Sequence, residues 1–232
     1  MDTKPSKSLL SLIFILILLT NLFFVVAPES VHALQDGDYI YEINGDPLAA
    51  TITEYVGAGG EITIPSTLGG YPTVSIGSQA FMSCDTLTIV TIPDSVLTID
   101  YAAFSSCTAL TSITIGHNVT TIGNGAFDSC VSLTSVTIPN NVITIGNFSF
   151  ISCSSLATIT IGDRVTTIGN YAFESCSALT SVIIPDNVTT IGRYAFYNCT
   201  TLTSISIGNS LSTIGNYAFS YCTILLSIMI PS

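Results

Sequence analysis

The chain has no tryptophan and only four lysine and arginine residues among 232. Beyond residue 33 there is no lysine, and Arg164 and Arg193 are the only strong bases. Of the 15 carboxylates only Asp2 and Glu29 lie earlier, so the net charge of the remainder is −11. Nucleic acid demands a basic surface, so this balance excludes it as a partner. Anionic membrane surfaces are excluded for the same reason. Charged residues make up only 8% of the chain, which leaves Thr, Ser, Asn and Gly to solvate the exterior.

Histidine is nearly absent as well, and His117 is the only one beyond residue 33. A Ser-His or Cys-His nucleophile needs that imidazole beside a hydroxyl or thiol and an orienting group. Neighbouring turns offer Asp94 and Asn140, but no pattern marks them. The expectation is therefore no enzyme, no catalytic residue and no cofactor. Asp36-Gly37-Asp38 and Asn44-Gly45-Asp46 lack the rest of a calcium loop and read as turns.

What the chain does have is a period. Phe81, Phe104, Phe127, Phe150, Phe173, Phe196 and Phe219 stand 23 residues apart. All seven cysteines follow three residues later, from Cys84 to Cys222, and a leucine follows each cysteine by three, from Leu87 to Leu225. A fixed period of 20–29 residues is the mark of a leucine-rich solenoid, each unit one coil that contacts mainly its neighbours. In the unit from Phe173, Ala172–Cys176 predicts a short helical turn, with Asn170 placed to cap its first amides. Leu179, Val182 and Ile184 match the L-x-x-L-x-L strand, Pro185-Asp186-Asn187 is a turn, and Val188–Gly192 returns along the other side. Pro93, Pro139, Pro185 and Pro231 alternate with Gly116, Gly162 and Gly208 after the strand, giving an underlying unit of 46 residues. Both residues suit a turn, so the alternation is expected to be structurally mild.

The fold expected is an α/β solenoid, mostly β: a right-handed stack of about seven 23-residue coils with short helical turns over residues 62–232. Residues 34–61 are expected to cap it. There Tyr39–Ile43 and Ala50–Tyr55 flank Asn44-Gly45 as a β-hairpin does. Ahead of the cap, Lys4 and Lys7 precede an almost wholly apolar run from Leu9 to Ala27, and Val31-His32-Ala33 has the form of a cleavage site. Residues 1–33 thus read as a secretory signal peptide, with an uncleaved anchor as the alternative. The run is followed by no cysteine of the lipoprotein kind.

The pattern I-x-I-P with a long loop, then S-I-G-x-x-A-F-x-x-C-x-x-L-x-x-I, spans Ile62 to the later repeats. It resembles the BspA-like leucine-rich repeat family, over about residues 38–232. The resemblance implies a secreted or surface-exposed protein of the kind linked to adhesion and protein binding. It implies no catalytic residues.

The cysteines sit at one interior position of successive coils and are odd in number, so they are expected to be buried thiols. Side chains of stacked coils run parallel, which suits a disulfide poorly. A linear ladder offers zinc no tetrahedral set, so no metal is expected. Outward columns include Ser112/Thr114, Ser135/Thr137, Thr158/Thr160, Ser181/Ile183 and Ser204/Ser206 on the strand, and Thr98, Thr121, Thr144, Thr167, Thr190 and Thr213 on the return side. Such rows raise ice binding as a remote alternative, against the plainer fact that Thr is a soluble strand former.

The aromatic column is more pointed. Phe148, Tyr171, Tyr194 and Tyr217 occupy one position in four successive units, with Tyr197 and Tyr221 nearby. Exposed aromatics mark partner surfaces, so Phe148, Tyr171, Tyr194, Tyr217 and Tyr197 are the candidate binding residues, for a protein or another surface macromolecule. Mutual stacking that tightens adjacent coils is the competing explanation. In the last strand, Leu226 and Met229 stand where other coils carry Thr or Ser, which makes them a candidate self-association edge. End-to-end assembly into a structural surface or matrix element is the alternative to partner binding.

Overall fold

A computed structural model describes residues 33–229. The expected signal peptide, apart from Ala33, and the terminal Ile230–Ser232 lie outside the described residues.

The N-terminal strands β1 (Leu34–Asp36), β2 (Tyr39–Asn44) and β3 (Ala49–Tyr55) pair antiparallel in sequence order. β3 then pairs in parallel with β6 (Tyr71–Ile76), which also takes the short antiparallel β5 (Thr67–Leu68). From there two kinds of strand alternate. One face holds β4 (Gly60–Thr63), β7 (Leu87–Thr91), β9 (Ser112–Thr114), β11 (Ser135–Thr137), β13 (Thr158–Thr160), β15 (Ser181–Ile184), β17 (Ser204–Ile207) and β19 (Ser227–Met229). The return face holds the two-residue strands β8 (Thr98–Ile99), β10 (Thr121–Ile122), β12 (Thr144–Ile145), β14 (Thr167–Ile168), β16 (Thr190–Ile191) and β18 (Thr213–Ile214).

Register follows the period. Thr98, Thr121, Thr144, Thr167, Thr190 and Thr213 pair in one row, and the isoleucine after each pairs in the next. Eight parallel strands, β3, β6, β8, β10, β12, β14, β16 and β18, stack on this face, one more than the seven coils expected because β3 of the hairpin joins them.

The core lies between the faces. Phe81, Phe104, Phe127, Phe150, Phe173 and Phe196 are fully buried, their rings stacked with centroids 4.7–5.4 Å apart. Leu179, Val182, Ile184, Val188 and Ile191 line the coil interior in the places the unit pattern predicts. Stacked this way each coil covers its neighbour's apolar faces, which supplies the burial a single coil lacks.

The helical turns are not there: no described residue is helical. The segment around Phe173 is a chain of tight turns in which alternate amides point in different directions. Tyr171, Phe173 and Ser175 donate to the Arg193, Ala195 and Tyr197 carbonyls of the next coil, each at 2.8 Å, while Glu174 and Cys176 bond back three residues. Tyr171 and Ser175 both sit at φ 58°, and left-handed residues break a right-handed helix. Asn170 does not cap its own turn either. Its Oδ1 accepts the amide of Arg193 one coil on, at 2.7 Å, as those of Asn124 and Asn147 accept from Asn147 and Asn170.

The Pro/Gly alternation is not mild. A Cβ on Gly162 would run into the backbone carbonyl of Pro139 beneath it, and Gly116 and Gly208 meet Pro93 and Pro185 in the same way. A glycine coil therefore seats closely on the proline coil before it. Where a proline coil follows a glycine coil, the strand ladder thins: β9 and β11 share one register pair, and β13 and β15 share none. Proline has no N–H to give to such a ladder. The face accordingly divides into a five-stranded sheet ending at β13 and a three-stranded sheet beginning at β15. The third junction of this order, between β17 and β19, keeps three register pairs.

Candidate functional site

The aromatic column is built by the tight turns that precede each core phenylalanine. Those turns hold Phe148, Tyr171, Tyr194 and Tyr217 at φ 58°, 58°, 56° and 62°. The equivalent position is Gly125 in an earlier coil, and Gln79 and Ala102 share the left-handed conformation. L-residues pay about 1–2 kcal/mol for it.

The rings form a single ladder. Phe148 and Tyr171 stack with centroids 4.9 Å apart, Tyr171 and Tyr194 at 4.9 Å, and Tyr194 and Tyr217 at 5.0 Å. Tyr197 meets Tyr194 edge-on at 5.1 Å and leads to Tyr221, also at 5.1 Å. Arg193 lies 4.8 Å from the centre of the Tyr194 ring, and its Nη2 donates to the Tyr194 hydroxyl at 3.4 Å. That hydrogen bond, with the nearby phenols, raises the Arg193 pKa. Tyr197 is raised by partial desolvation first and by Tyr221 next.

Phe148 is 43% exposed and Tyr217 58%, whereas Tyr171 and Tyr194 between them are half-buried. The structure thus gathers all five candidate residues into one patch. Both explanations of the column draw on it: the rings stack on one another, and the stack is open to solvent.

The second candidate, the edge at β19, is also exposed. Leu226 is 87% and Met229 60% exposed, with Ile224 and Ile228 beside them. β19 pairs with β17 on one side, and among the described residues no strand pairs with the other.

The cysteines are seven free thiols, five buried and Cys84 and Cys222 half-buried. Each thiol from Cys107 onward donates to the carbonyl of the phenylalanine 26 residues before it, at 3.0–3.2 Å. Burial pushes the pKa of Cys107, Cys130, Cys153 and Cys176 well up.

His117 does reach Asp94, its Nδ1 3.1 Å from Oδ1 and its amide donating to the same oxygen at 2.7 Å. These bonds lower the Asp94 pKa. The pair is solvent-exposed, and Cys107 and Cys130 in the neighbouring coils are buried with their thiols turned inward, so neither is offered to it. Asp94, Asn140 and Asp186 form a ladder of their own, each accepting the amide 23 residues on.

Sequence reasoning missed one feature. A cleft of about 420 Å³ lies on the strand face between β13 and β15, with Ile159, Ile183, Pro185 and Asp163 among its walls. The signals were Pro185, which cannot donate to a ladder, and Ile183, the apolar break in a hydroxyl column.

The model of the BspA type leucine rich repeat region matches residues 74–200 and 152–232, in six copies. The crystal structure of a leucine-rich repeat protein from T. pallidum is 30% identical with a TM-score of 0.77, over 83% of this chain and 90% of that one. A leucine-rich cell surface protein from Faecalibacterium prausnitzii is 29% identical with a TM-score of 0.50, over 87% of this chain and 77% of that one. No curated protein matches the chain.

Proposed function

The chain belongs to the BspA-type leucine-rich repeat family, and from that premise we propose that it is a secreted or cell-surface protein that binds another protein through its repeat surface. The surface location is supported by the cell-surface protein among the structural relatives and by the leader-like residues 1–33. The binding patch is the ladder of Phe148, Tyr171, Tyr194 and Tyr217, with Tyr197 at its flank.

One observation carries this reading. Four successive bulky aromatics occupy a left-handed position that glycine fills at Gly125. Strain of this kind persists where something else requires the side chain. Stacking accounts for part of it, about 0.5–1.5 kcal/mol per pair. The exposure of Phe148 and Tyr217 leaves rings available to a partner, and aromatics are enriched in binding hot spots.

The test is capture of surface or matrix proteins by the immobilised chain, repeated with Tyr171 and Tyr194 both changed to Gly. Capture that survives this change in a folded protein overturns the assignment of the patch.

A second reading is end-to-end assembly into a surface element. It is supported by the exposed Leu226 and Met229 along β19, whose far side pairs with no strand among the described residues. Sedimentation over a range of concentrations separates the two.

A further inference from the structure

The strand face presents two outward columns, and down to β13 the positions named above are Ser or Thr. At β15 the column turns aliphatic: Ile183 is 72% exposed. The same junction is the one at which the sheet is interrupted, β13 and β15 sharing no register pair. Pro185, at the end of β15, brings no N–H to that seam.

The opening lets the core reach the surface. Ile159 is half-buried, whereas its counterparts Ile113, Val136, Val182 and Ile205 are buried. The resulting cleft of about 420 Å³ is lined by Ile159, Ile161, Ile183 and Pro185 together with the hydroxyl residues Thr158, Thr160 and Ser181. That volume falls in the range of ligand sites, and apolar side chains with a few polar groups among them are their usual lining.

Charge narrows the occupant. Asp163 stands in the wall. Its neighbour Arg164 directs Nη1 to Asn141 Oδ1 at 3.1 Å, and the one close contact between a carboxylate and a basic side chain among the described residues is Asp94 with His117, so no base answers Asp163. The chain as a whole carries −11.

We propose that the β13–β15 cleft is a docking site for a basic protein segment, which seats an aliphatic side chain between Ile159 and Ile183 and sets a lysine or arginine against Asp163. The site lies on the strand face and uses none of the ladder residues. It stands whether or not the aromatic patch binds a partner.

The probe is the peptide acetyl-Lys-Leu-Lys-amide, titrated into the purified protein with isoleucine methyl groups observed by NMR. The Ile159, Ile161 and Ile183 methyls are expected to shift, and those of Ile113 and Ile205 to stay. Acetyl-Lys-Ser-Lys-amide is expected to bind at least tenfold more weakly, and Asp163→Asn to weaken the leucine peptide several-fold. Ile183→Thr restores the hydroxyl column and is expected to abolish the shifts, unmoved Ile113 and Ile205 signals showing that the fold is kept. Equal response to the two peptides reduces the effect to charge alone and overturns the proposal. So do shifts spread along the whole face, or no shift at millimolar peptide.

Discussion

The Cys153 thiol donates to the carbonyl of Phe127, 26 residues earlier, at 3.2 Å. That carbonyl already accepts the amide of Cys130 in its own coil at 3.3 Å. The column of cysteines is therefore a set of structural donors that tie the interior of one coil to the backbone of the previous one.

Thiol titration on the alkaline side follows from this. The folded chain holds the Cys107, Cys130, Cys153 and Cys176 pKa values above 9.0, and burial is the main cause. The unfolded chain gives up those protons near the ordinary value and the folded chain keeps them, so stability is fully present below about pH 8.5 and falls as pH rises beyond it. Thermal melts across pH 7–11 are expected to be level at first and then decline steeply. In the folded protein at pH 8 a thiol reagent is expected to find Cys84 and Cys222 first, with seven thiols counted after denaturation without reductant. A count of one means three disulfides and overturns the ladder.

Ser149 is an isolated fault in a regular column. Its counterparts Ala80, Ala103, Ala126, Ala172, Ala195 and Ala218 are buried, and Ser149 is fully buried with an unpartnered hydroxyl. Removing an unsatisfied buried hydroxyl recovers its desolvation cost, so Ser149→Ala is expected to stabilise by about 1 kcal/mol in urea unfolding. A loss of stability means that Ser149 has a partner.

Much of this architecture was legible in the sequence because the 23-residue beat fixes which residues face inward. Phe, Cys and Leu at one phase admit few arrangements, and the core found at Phe150, Cys153 and Leu156 is the one the pattern demands. The helical turn around Phe173 misled because its composition suits helix as well as turn. The deciding fact is the left-handed φ at Tyr171 and Ser175, which no propensity reveals at a tyrosine. The Pro/Gly alternation was visible, but its effect depends on how close one coil comes to the next. The cleft at Ile159 and Ile183 was hidden for the same reason, being a property of a junction rather than of a repeat.

Tyr171 and Tyr194 separate binding from stacking. Replacing both by Gly removes rings that stack at 4.9 Å and also relieves two left-handed backbones. The two effects oppose: three stacked pairs are lost at about 0.5–1.5 kcal/mol each and two backbones are relieved at about 1–2 kcal/mol each, so the fold is expected to change in stability by less than about 3 kcal/mol. Partner capture is expected to fall at least tenfold. A large loss of stability with capture unchanged assigns the column to stacking alone.

Leu226 and Met229 are expected to govern self-association. Both are exposed beside β19, whose far side pairs with no strand among the described residues, and lysine at strand edges blocks pairing with a second chain. Leu226→Lys with Met229→Lys is expected to give a monomer by analytical ultracentrifugation at concentrations where the parent protein associates. A parent protein that stays monomeric throughout overturns the edge reading.

Two glycines make the sharpest contrast, because they are required for different reasons. Gly125 is left-handed at φ 63° with room for a Cβ, which would meet only Asp128 Cβ at 3.9 Å, and Ala102 already holds that position in another coil at φ 52°. Gly125→Ala is therefore expected to cost about 1 kcal/mol, the strain of the backbone alone. The space of Gly162 is closed by the Pro139 carbonyl, a backbone atom that cannot swing aside as a side chain does. Gly162→Ala must lift one coil off the next, and is expected to cost about 3 kcal/mol or more. The adjoining amides should also lose protection from hydrogen exchange, among them Ile138, which bonds Thr160 across that junction at 2.8 Å. Equal costs for the two substitutions mean that the coils give way at Gly162 without a packing penalty, and that its contact with the Pro139 carbonyl is no constraint.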